Sequence, residues 1–326
     1  MTSTGKPRRP PTLRDVAQAA GVSIWTASNT FSNPQRVAAA TRQRVLEAAT
    51  KLDYAGPNPT ARTLALGRTR MVALWSDADA GDFLADPVAT LITQGIVDAC
   101  DGAGLSVVIA GRTLDLPVDG YIRYRPSPGD EPRGHSVTIE AAEPNGTRPN
   151  VNVDLTDAVR TIARHLQELG HTRIAVLSTS ELAHRLGDLV PANIGEHVVV
   201  YESRAQGGWP DRAAGEATAR AALAATPRAT AILALSDTLA LGALEAMHRI
   251  GLRCPEDISV AGIDDVPGSD AVGLTTIVVP YRPMGEQAGE ILIQMIAGET
   301  PAPPSTLPVA LAIRRTTAPP PVGAPR

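Results

Sequence analysis

The stretch from Thr12 to Phe31 constrains the chain most, because it has the sequence pattern of two short helices joined by a tight turn. Thr12 and Asp15 have the spacing of a capping box, in which side chains pair with backbone N–H groups at a helix start. Gly21 suits the left-handed conformation that ends a helix, and Ser23 suits the N-cap of a second one. The stretch predicts a helix-turn-helix whose second helix is free to enter a DNA major groove, although a simple helical hairpin would share the pattern.

The charge of the chain is divided between a basic N-terminal part and an acidic remainder. Residues 1–70 contain 11 lysines and arginines against 3 acidic residues, and residues 71–326 contain 19 against 31, so +8 and −12 sum to −4. Because the basic part coincides with the predicted helix-turn-helix, it favours contact with DNA phosphates over a merely solvated basic face.

Residues 22–67 carry a longer pattern that resembles the N-terminal domain of the lactose repressor (LacI) family. The matching residues are Val22, Ser23, Thr26, Ser28, Val37, Thr41, Arg42, Arg44, Val45, Leu52, Tyr54, Pro57, Asn58, Ala61, Arg62 and Leu64. The resemblance implies an all-α helix-turn-helix head followed by a hinge helix, and two sets of DNA-contacting residues. These are Ser23, Ile24, Trp25, Thr26, Ser28 and Asn29 in the head, and Asn58, Arg62 and Leu64 in the hinge.

The hinge is predicted to be a helix of one or two turns. Asn58 and Pro59 have the order of an N-cap and a first-turn proline, and Gly67 would end the helix. Such a short helix does not form alone in water, because the nucleation cost dominates. In the LacI family the hinge orders on the operator and inserts a leucine into the minor groove, which the resemblance assigns to Leu64 with Arg62 nearby. A plain linker is the alternative.

The recognition helix departs from the commonest family pattern. Asn29 stands where the family usually has arginine, and asparagine pairs with adenine rather than guanine in the major groove. Ile24 and Trp25 can offer apolar contact to thymine methyl groups, unless Trp25 packs against the phosphate wall and reads no base. We therefore expect an operator richer in A·T pairs at the position that Asn29 faces.

From Met71 the pattern changes to short apolar strands alternating with helices, which predicts an α/β domain with parallel sheets. The predicted strands are MVALW, LSVVIA, GYI, SVTI, RIAVL, HVVVY, TAILAL, ISVAGI and TTIVV. Residues 71–315 resemble the LacI-family effector domain, whose two periplasmic-binding-protein-like lobes close on a ligand at the strand ends. The motifs that carry this resemblance are VDG at 118–120, LGHTRIAVLS at 169–178, SDTLALGAL at 236–244, PEDISVAGIDD at 255–265 and LTTIVVP at 274–280.

The resemblance implies three effector-binding residues, Arg185, Asp237 and Asp264. Arg185 stands where the family places a ligand-clamping arginine, and the two carboxylates would accept hydrogen bonds from ligand hydroxyls or amines. Either aspartate would serve instead as a helix cap or a turn carboxylate. The chain also departs from the family here, because the segments from Gly120 to Val137 and from Arg185 to Val198 are too short for the usual helices. The effector is therefore left unnamed, with a sugar or a nucleoside as the open classes.

The remaining features exclude other classes of protein. Cys100 and Cys254 are isolated, the six histidines have no metal-ligand spacing, and no nucleotide-binding or hydrolase motif is present, so we predict no cofactor, no metal site and no catalytic residues. No apolar run approaches the roughly 18 residues of a membrane span, and no secretion signal begins the chain, so we expect a cytoplasmic protein.

The sequence therefore predicts a homodimeric regulator, most readily a repressor, that binds a pseudo-palindromic DNA operator under the control of a small molecule. The predicted divisions are a flexible basic lead (1–11), the DNA-binding domain (12–56), the hinge (57–70), the effector and dimerisation domain (71–315) and a disordered tail (316–326). A DNA-binding protein whose sensor domain only dimerises is the main alternative. A solute-binding protein and a carbohydrate-acting enzyme are weaker ones.

Overall fold

The structure, a computed structural model, describes residues 9, 11–54, 56, 68–76, 80–111, 117–126, 134–140, 149–180, 182–183, 198–203 and 209–321. The chain divides into two compact units, residues 1–69 and 70–326, which we call the head and the body. The predicted hinge residues Asn58, Arg62 and Leu64 lie outside the described residues, as does Arg185.

The head contains three helices, α1 (Leu13–Ala20), α2 (Ile24–Ser32) and α3 (Ala39–Lys51), with one 3₁₀ turn at Pro34–Arg36 between the last two. Both halves of the predicted capping box are present at Thr12 and Asp15, and Gly21 has the left-handed conformation with φ 64°. The apolar stripe of α1 packs with α2 and α3 around the fully buried Val16, Ala27 and Val45. The predicted helix-turn-helix is thus confirmed at its helix ends and in its core.

The body alternates strands and helices. Its N-terminal half contains β1 (Met71–Trp75), α4 (Ala80–Ala85), α5 (Pro87–Gly102), β2 (Ser106–Ala110), β3 (Gly120–Tyr124), β4 (His135–Ile139), β5 (Asn150–Val153) and α6 (Leu155–Glu168). Its C-terminal half contains β6 (Ile174–Thr179), β7 (Val198–Ser203), α7 (Arg212–Ala224), β8 (Ala231–Ala234), α8 (Asp237–Arg249), β9 (Ser259–Asp264), β10 (Thr275–Val278), α9 (Tyr281–Ala297), β11 (Ser305–Leu307) and β12 (Ala310–Ala312).

The strands form two six-stranded sheets, one in each lobe. The first-lobe order is β11-β5-β4-β3-β1-β2, and the second-lobe order is β12-β10-β9-β8-β6-β7. All neighbouring strands are parallel except β12, which runs antiparallel to β10. The nine predicted strands are all present, whereas β5, β11 and β12 were missed. The asparagines of β5 (NVNV) and the shortness of the other two strands hid them from a search for apolar runs.

The first-lobe sheet has one apolar and one polar face. The register places Leu74, Ile122 and Val137 side by side on the face that packs against α9, because a Cβ on the neighbouring Gly120 would touch Leu292 of that helix. On the opposite face, the next row of paired residues is Trp75, Arg123, Thr138 and Asn150. A parallel sheet is usually apolar on both faces because helices cover both.

One of the short connections noted in the sequence, that between Gly120 and Val137, lies in the first lobe. The segments 111–119, 125–134 and 140–149 join β2 to β5, and the described residues among them contain no helix.

One predicted boundary is wrong. The tail at 316–326 was expected to be disordered, but residues 316–321 are placed, and Thr316 is only 4% exposed. Thr316 O accepts a hydrogen bond from Val260 N at 2.8 Å, and Ala318 N donates to Ser259 Oγ at 3.0 Å. Prolines lack the N–H of a ladder strand. Thr316, which precedes them, nevertheless accepts hydrogen bonds from Val260 N and Thr275 N of the sheet.

Candidate functional site

The start of α2 is the candidate DNA-reading element. Ser23 Oγ caps the helix by accepting from Thr26 N at 3.0 Å. The next two side chains, Ile24 and Trp25, are 46% and 68% exposed although both are apolar. A capped helix start that presents large side chains to solvent has the geometry of a recognition helix.

Three polar side chains further along α2 form hydrogen bonds to the backbone of their own helix. Thr30 Oγ1 donates to Thr26 O at 3.1 Å and Ser32 Oγ donates to Ser28 O at 2.9 Å, so these hydroxyls bond to their own helix. Asn29 is only 8% exposed, and its Nδ2 donates to Trp25 O at 3.1 Å. The expectation that Asn29 is an exposed adenine reader therefore needs correction, because its amide is committed to the helix backbone. Thr26 and Ser28 are half-buried.

Five basic residues are exposed among the described residues of the head up to Tyr54. They are Arg9, Arg14, Arg36, Arg44 and Lys51. Such side chains neutralise DNA phosphates without reading sequence, so they fit the positioning part of a DNA interface.

The second candidate site lies in the body, where the carboxyl ends of the strands of the two lobes meet. Tyr124 and Arg125 end and follow β3 of the first lobe, and Glu140 follows β4. Asp264 ends β9 of the second lobe, and Trp209 precedes α7. Ligands of α/β proteins bind at this edge of a parallel sheet, so we call the region the cleft.

The cleft is lined by a cluster of aromatic rings around the guanidinium of Arg125. Arg125 Cζ lies 4.7 Å from the ring centroid of Tyr124 and 5.4 Å from that of Trp209, and these two rings are stacked 5.6 Å apart. Phe83 meets both rings edge-on. Arg125 Nε also donates to Glu140 Oε2 in an ion pair whose carboxylate side chain is 2% exposed. Arg125 thus combines a buried charge pair with cation–π contacts to both lobes.

The charges of the cleft perturb one another. Burial disfavours the charged form of Arg125, but Glu140 and the neighbouring tyrosines raise its pKa well above the ordinary value. Burial raises the pKa of Asp86, which caps α5, and Arg125 opposes that rise. Burial, followed by the charge of Asp237, raises the pKa of Asp264 well above its usual range, and the hydrogen bonds from Tyr281 and Ser236, then Arg125, oppose that rise.

Asp264 occupies a strained position at the end of β9. Its φ is 127°, in the region that favours glycine, and it is 7% exposed. Its Oδ1 accepts a hydrogen bond at 2.6 Å from the hydroxyl of Tyr281, the first residue of α9. Strain of this kind is common at binding sites, so the assignment of Asp264 to the cleft stays a prediction with local support.

The carboxylate of Asp237 is bonded within the second lobe. It is completely buried, and its two oxygens accept hydrogen bonds from Val266 N at 3.2 Å, Ser269 Oγ at 2.6 Å and Thr276 Oγ1 at 2.6 Å. Burial raises its pKa to about 6, although these three donors stabilise the charged form. Of the two alternatives stated from the sequence, the helix cap does not apply because Ser236 caps α8, whereas the bonds to Val266 and Ser269 fit the turn carboxylate.

Sequence reasoning missed the residues that form the cluster in the cleft. Arg125 and Glu140 each follow a predicted strand, a position that could have marked them, since parallel strands end together. Trp209 and Phe83 belong to a small set of aromatic residues, 3% of the chain, and their grouping depends on the tertiary fold. Within the described part of the chain, no group of His, Cys, Asp or Glu side chains could hold a metal ion, and no helix has the length and apolarity to span a membrane.

Comparison with known proteins covers both the head and the body. Residues 12–58 match the family model for bacterial regulatory proteins of the lacI family, and residues 163–317 match the periplasmic binding protein-like domain. An HTH-type transcriptional regulator of Mycobacterium tuberculosis is 31% identical over 92% of this chain and 99% of its own length. The lactose operon repressor of Escherichia coli is 28% identical over 95% and 91%.

Solved structures show the same architecture. The lac repressor dimer bound to operator and the anti-inducer ONPF superposes with a TM-score of 0.77 at 26% identity, covering 95% of this chain and 100% of that one. The transcriptional regulator CelR in complex with cellobiose has a TM-score of 0.62 at 27% identity, covering 94% and 99%. These relatives are regulators rather than enzymes, which confirms that prediction. The chain, with its helix-turn-helix head and two-lobed body, belongs to the LacI family of bacterial transcriptional regulators.

Proposed function

We propose that the protein is a repressor that binds a pseudo-palindromic operator as a homodimer, with a small molecule in the cleft changing its affinity for DNA. The observation that carries the DNA-binding part is the exposed, capped start of α2, where Ser23, Ile24 and Trp25 face solvent. Thr26 and Ser28 flank these residues, and Asn58, Arg62 and Leu64 of the hinge would add the minor-groove contacts. With this DNA-binding role, we propose that the protein acts in the cytoplasm.

A groove on the surface of the first lobe supports the homodimer. It has a volume of about 340 Å³ and runs along α5 beside the ion pair of Asp98 and Arg282, in which the closest atoms are 2.7 Å apart. Leu84 and Val97, which line it, are 52% and 42% exposed. Exposed apolar side chains beside a complementary charge pair suit an isologous contact with a second copy.

The effector is proposed to be a small molecule bound at the strand ends of the two lobes. The ligands named for the related structures, cellobiose and ONPF, suggest a sugar, and a nucleoside is a second class. We propose that Asp264 and Arg185 contact the effector. Asp237 is not included among the proposed effector contacts, because it is fully buried.

A selection from random duplexes at near-physiological salt tests the proposal. The native chain should enrich one inverted repeat. Leu64→Ala should weaken binding to that repeat at least tenfold without removing the half-site preference, because it removes the proposed minor-groove wedge. Salt-sensitive binding with no enriched sequence would reject the operator-binding repressor and leave a non-specific DNA anchor.

A regulator whose sensor domain only dimerises is the second candidate. The observation that favours it is that the chain's own side chains fill the cleft, where Tyr124 and Phe83 are at most 1% exposed. A thermal-shift screen with sugars and nucleosides separates the candidates, because only a ligand-controlled protein gives a saturable rise in melting temperature.

A further inference from the structure

We propose that Arg70 is a positioning residue for operator binding, because its backbone and its side chain fix the chain at the point where the hinge enters the first lobe. The inference rests on the proposed function in taking the two hinges of a homodimer to meet on one operator.

The backbone of Arg70 is held in a strained conformation. Its φ is 57°, in the left-handed region that residues with a side chain rarely adopt. Arg70 N donates a hydrogen bond to Asp119 Oδ2 at 2.8 Å, and Arg70 O accepts one from Ser106 N at 2.9 Å. Strain at a residue other than glycine persists only where the surroundings fix it. These bonds attach Arg70 to the segments at which β2 and β3 start.

The side chain of Arg70 makes a second attachment, at the turn that follows α5. Arg70 Nε donates a hydrogen bond to Gly104 O at 3.1 Å. A Cβ on Gly104 would lie 2.4 Å from Arg70 Nη2, so the guanidinium lies directly on the glycine. A cation is also favoured near this end of α5, because the last carbonyls of a helix carry a partial negative charge. Arg70 is therefore attached to α5 as well as to the sheet.

This attachment links the hinge to the helix that carries the proposed dimer contact. Arg70 is the last residue of the predicted hinge (57–70), and α5 carries Val97 and Asp98 of the groove on the first lobe. Two hinges that start from fixed points beside the dimer contact are separated by a fixed distance, which the spacing of the operator half-sites has to match. A matched spacing makes the second half-site contact an intramolecular event at high effective concentration. Loss of the attachment should leave each head able to bind a half-site but should relax the required spacing.

Operator binding by variants of the full-length chain tests the inference. Arg70→Ala removes the guanidinium, and Gly104→Ala displaces it without changing the charge of the chain. Both variants should bind the selected inverted repeat with at least about fivefold lower affinity than the native chain. Both should bind a repeat lengthened by one base pair, about 3.4 Å, nearly as well as the selected repeat, whereas the native chain should not. Affinity for a duplex with a single half-site should stay within about twofold of the native value, because the head is unaltered.

Gly251→Ala is the matched control. Gly251 lies in the turn after α8 with φ 74°, close to the φ of 65° at Gly104, but a Cβ there would meet nothing within 4 Å. The control therefore carries similar backbone strain without touching Arg70, and it should keep the native affinity and spacing preference. The double variant Arg70→Ala, Gly104→Ala should lose no more affinity than the weaker single variant, because both changes remove the same contact.

Three binding results would overturn the inference while leaving the proposed function intact. One is the native spacing preference in both single variants. Another is a loss confined to Arg70→Ala, which would make the effect one of charge. The third is an equal loss in Gly251→Ala, which would make it one of general strain.

A measurement without DNA tests the attachment separately. The amides of residues 70 and 106 should exchange at least about fivefold faster in Arg70→Ala than in the native chain, because the side chain no longer holds this segment. Unchanged exchange would reject the attachment itself. A native chain that enriches no inverted repeat would reject the proposed function, and that result is distinct from a selected repeat whose spacing the variants still recognise.

Discussion

Gly262 and Asp237 lie so close together that a Cβ atom on Gly262 would be 2.2 Å from Asp237 Oδ1. Glycine at this point of β9 lets the carboxylate reach three donors on the neighbouring segments, Val266, Ser269 and Thr276. The SD and GIDD motifs of the sequence thus meet in one buried hydrogen-bond network within the second lobe.

Removal of the Asp237 carboxylate from this network should destabilise the body strongly. Asp237→Ala leaves three buried donors without their acceptor, and we expect the free energy of unfolding to fall by at least about 3 kcal/mol. Urea denaturation monitored by circular dichroism measures the change. Asp101→Ala, an exposed carboxylate on α5, should stay within about 0.5 kcal/mol of the native protein. A loss for Asp237→Ala as small as that of the control would contradict the structural role.

The crossing of α5 and α9 depends on a backbone contact. A Cβ on Gly95 would lie 2.0 Å from Arg282 O, and one on Gly285 would lie 2.1 Å from Ile92 O. Gly95→Ala should therefore force the helices apart and cost about 1–3 kcal/mol, seen as a lower denaturation midpoint. Gly102→Ala, where a Cβ meets open space near the end of α5, is the control and should be neutral or slightly stabilising.

The C-terminal segment should give the body a pH-dependent stability. His171 Nε2 lies 2.9 Å from Ala318 O, and His165 Nε2 lies 3.0 Å from Thr317 Oγ1. Burial lowers the pKa of both imidazoles below the ordinary value of 6.5. The unfolded chain then binds more protons as the pH falls below 6.5, so this contribution to stability is present above 6.5 and is lost at lower pH.

Denaturation at pH 8 to 5 measures this effect as a difference between variants. The native protein should lose stability on acidification relative to the double variant His165→Gln, His171→Gln. His248→Gln changes an exposed imidazole and should follow the native curve. Asp237, with its raised pKa of about 6, makes a contribution to the pH dependence of stability that has the opposite sign. Because Asp237 is present in every variant, its contribution cancels in the comparison. Parallel curves for the native protein and the double variant would count against the prediction.

Substitutions at two residues of α2 should affect different properties, one the affinity for DNA and the other the stability of the head. Trp25→Ala removes a side chain that is 68% exposed, and we expect at least a tenfold loss of affinity for the selected operator with unchanged unfolding of the head. Asn29→Ala removes a buried hydrogen bond and should instead cost the head about 1 kcal/mol. Filter binding and amide exchange of residues 12–54 report the two properties. Relaxed base preference at one position with full head stability would restore Asn29 as a base reader.

The local sequence determined the helix ends of the head and the strands of the body. Thr12, Gly21 and Ser23 act on backbone groups within four residues, so their roles follow from spacing alone. In the body, short apolar runs alternate with stretches of helical periodicity, and this pattern predicted nine strands and the α/β class. The pattern is local because each helix or strand must bury its own apolar face.

The tertiary structure decided what the polar residues do. Asp237 and Asn29 have sequence contexts that fit either ligand contact or internal bonding, and only the packing of β9, β10 and α2 around them selects the second. The ordered tail at Thr316 and Ala318 depends on contacts with β9 far away in the chain. The cluster of Arg125, Glu140 and Trp209 is assembled from strand ends of two lobes, and no local pattern encodes that meeting. A side chain's hydrogen-bond partners depend on distance in space, which only the fold sets.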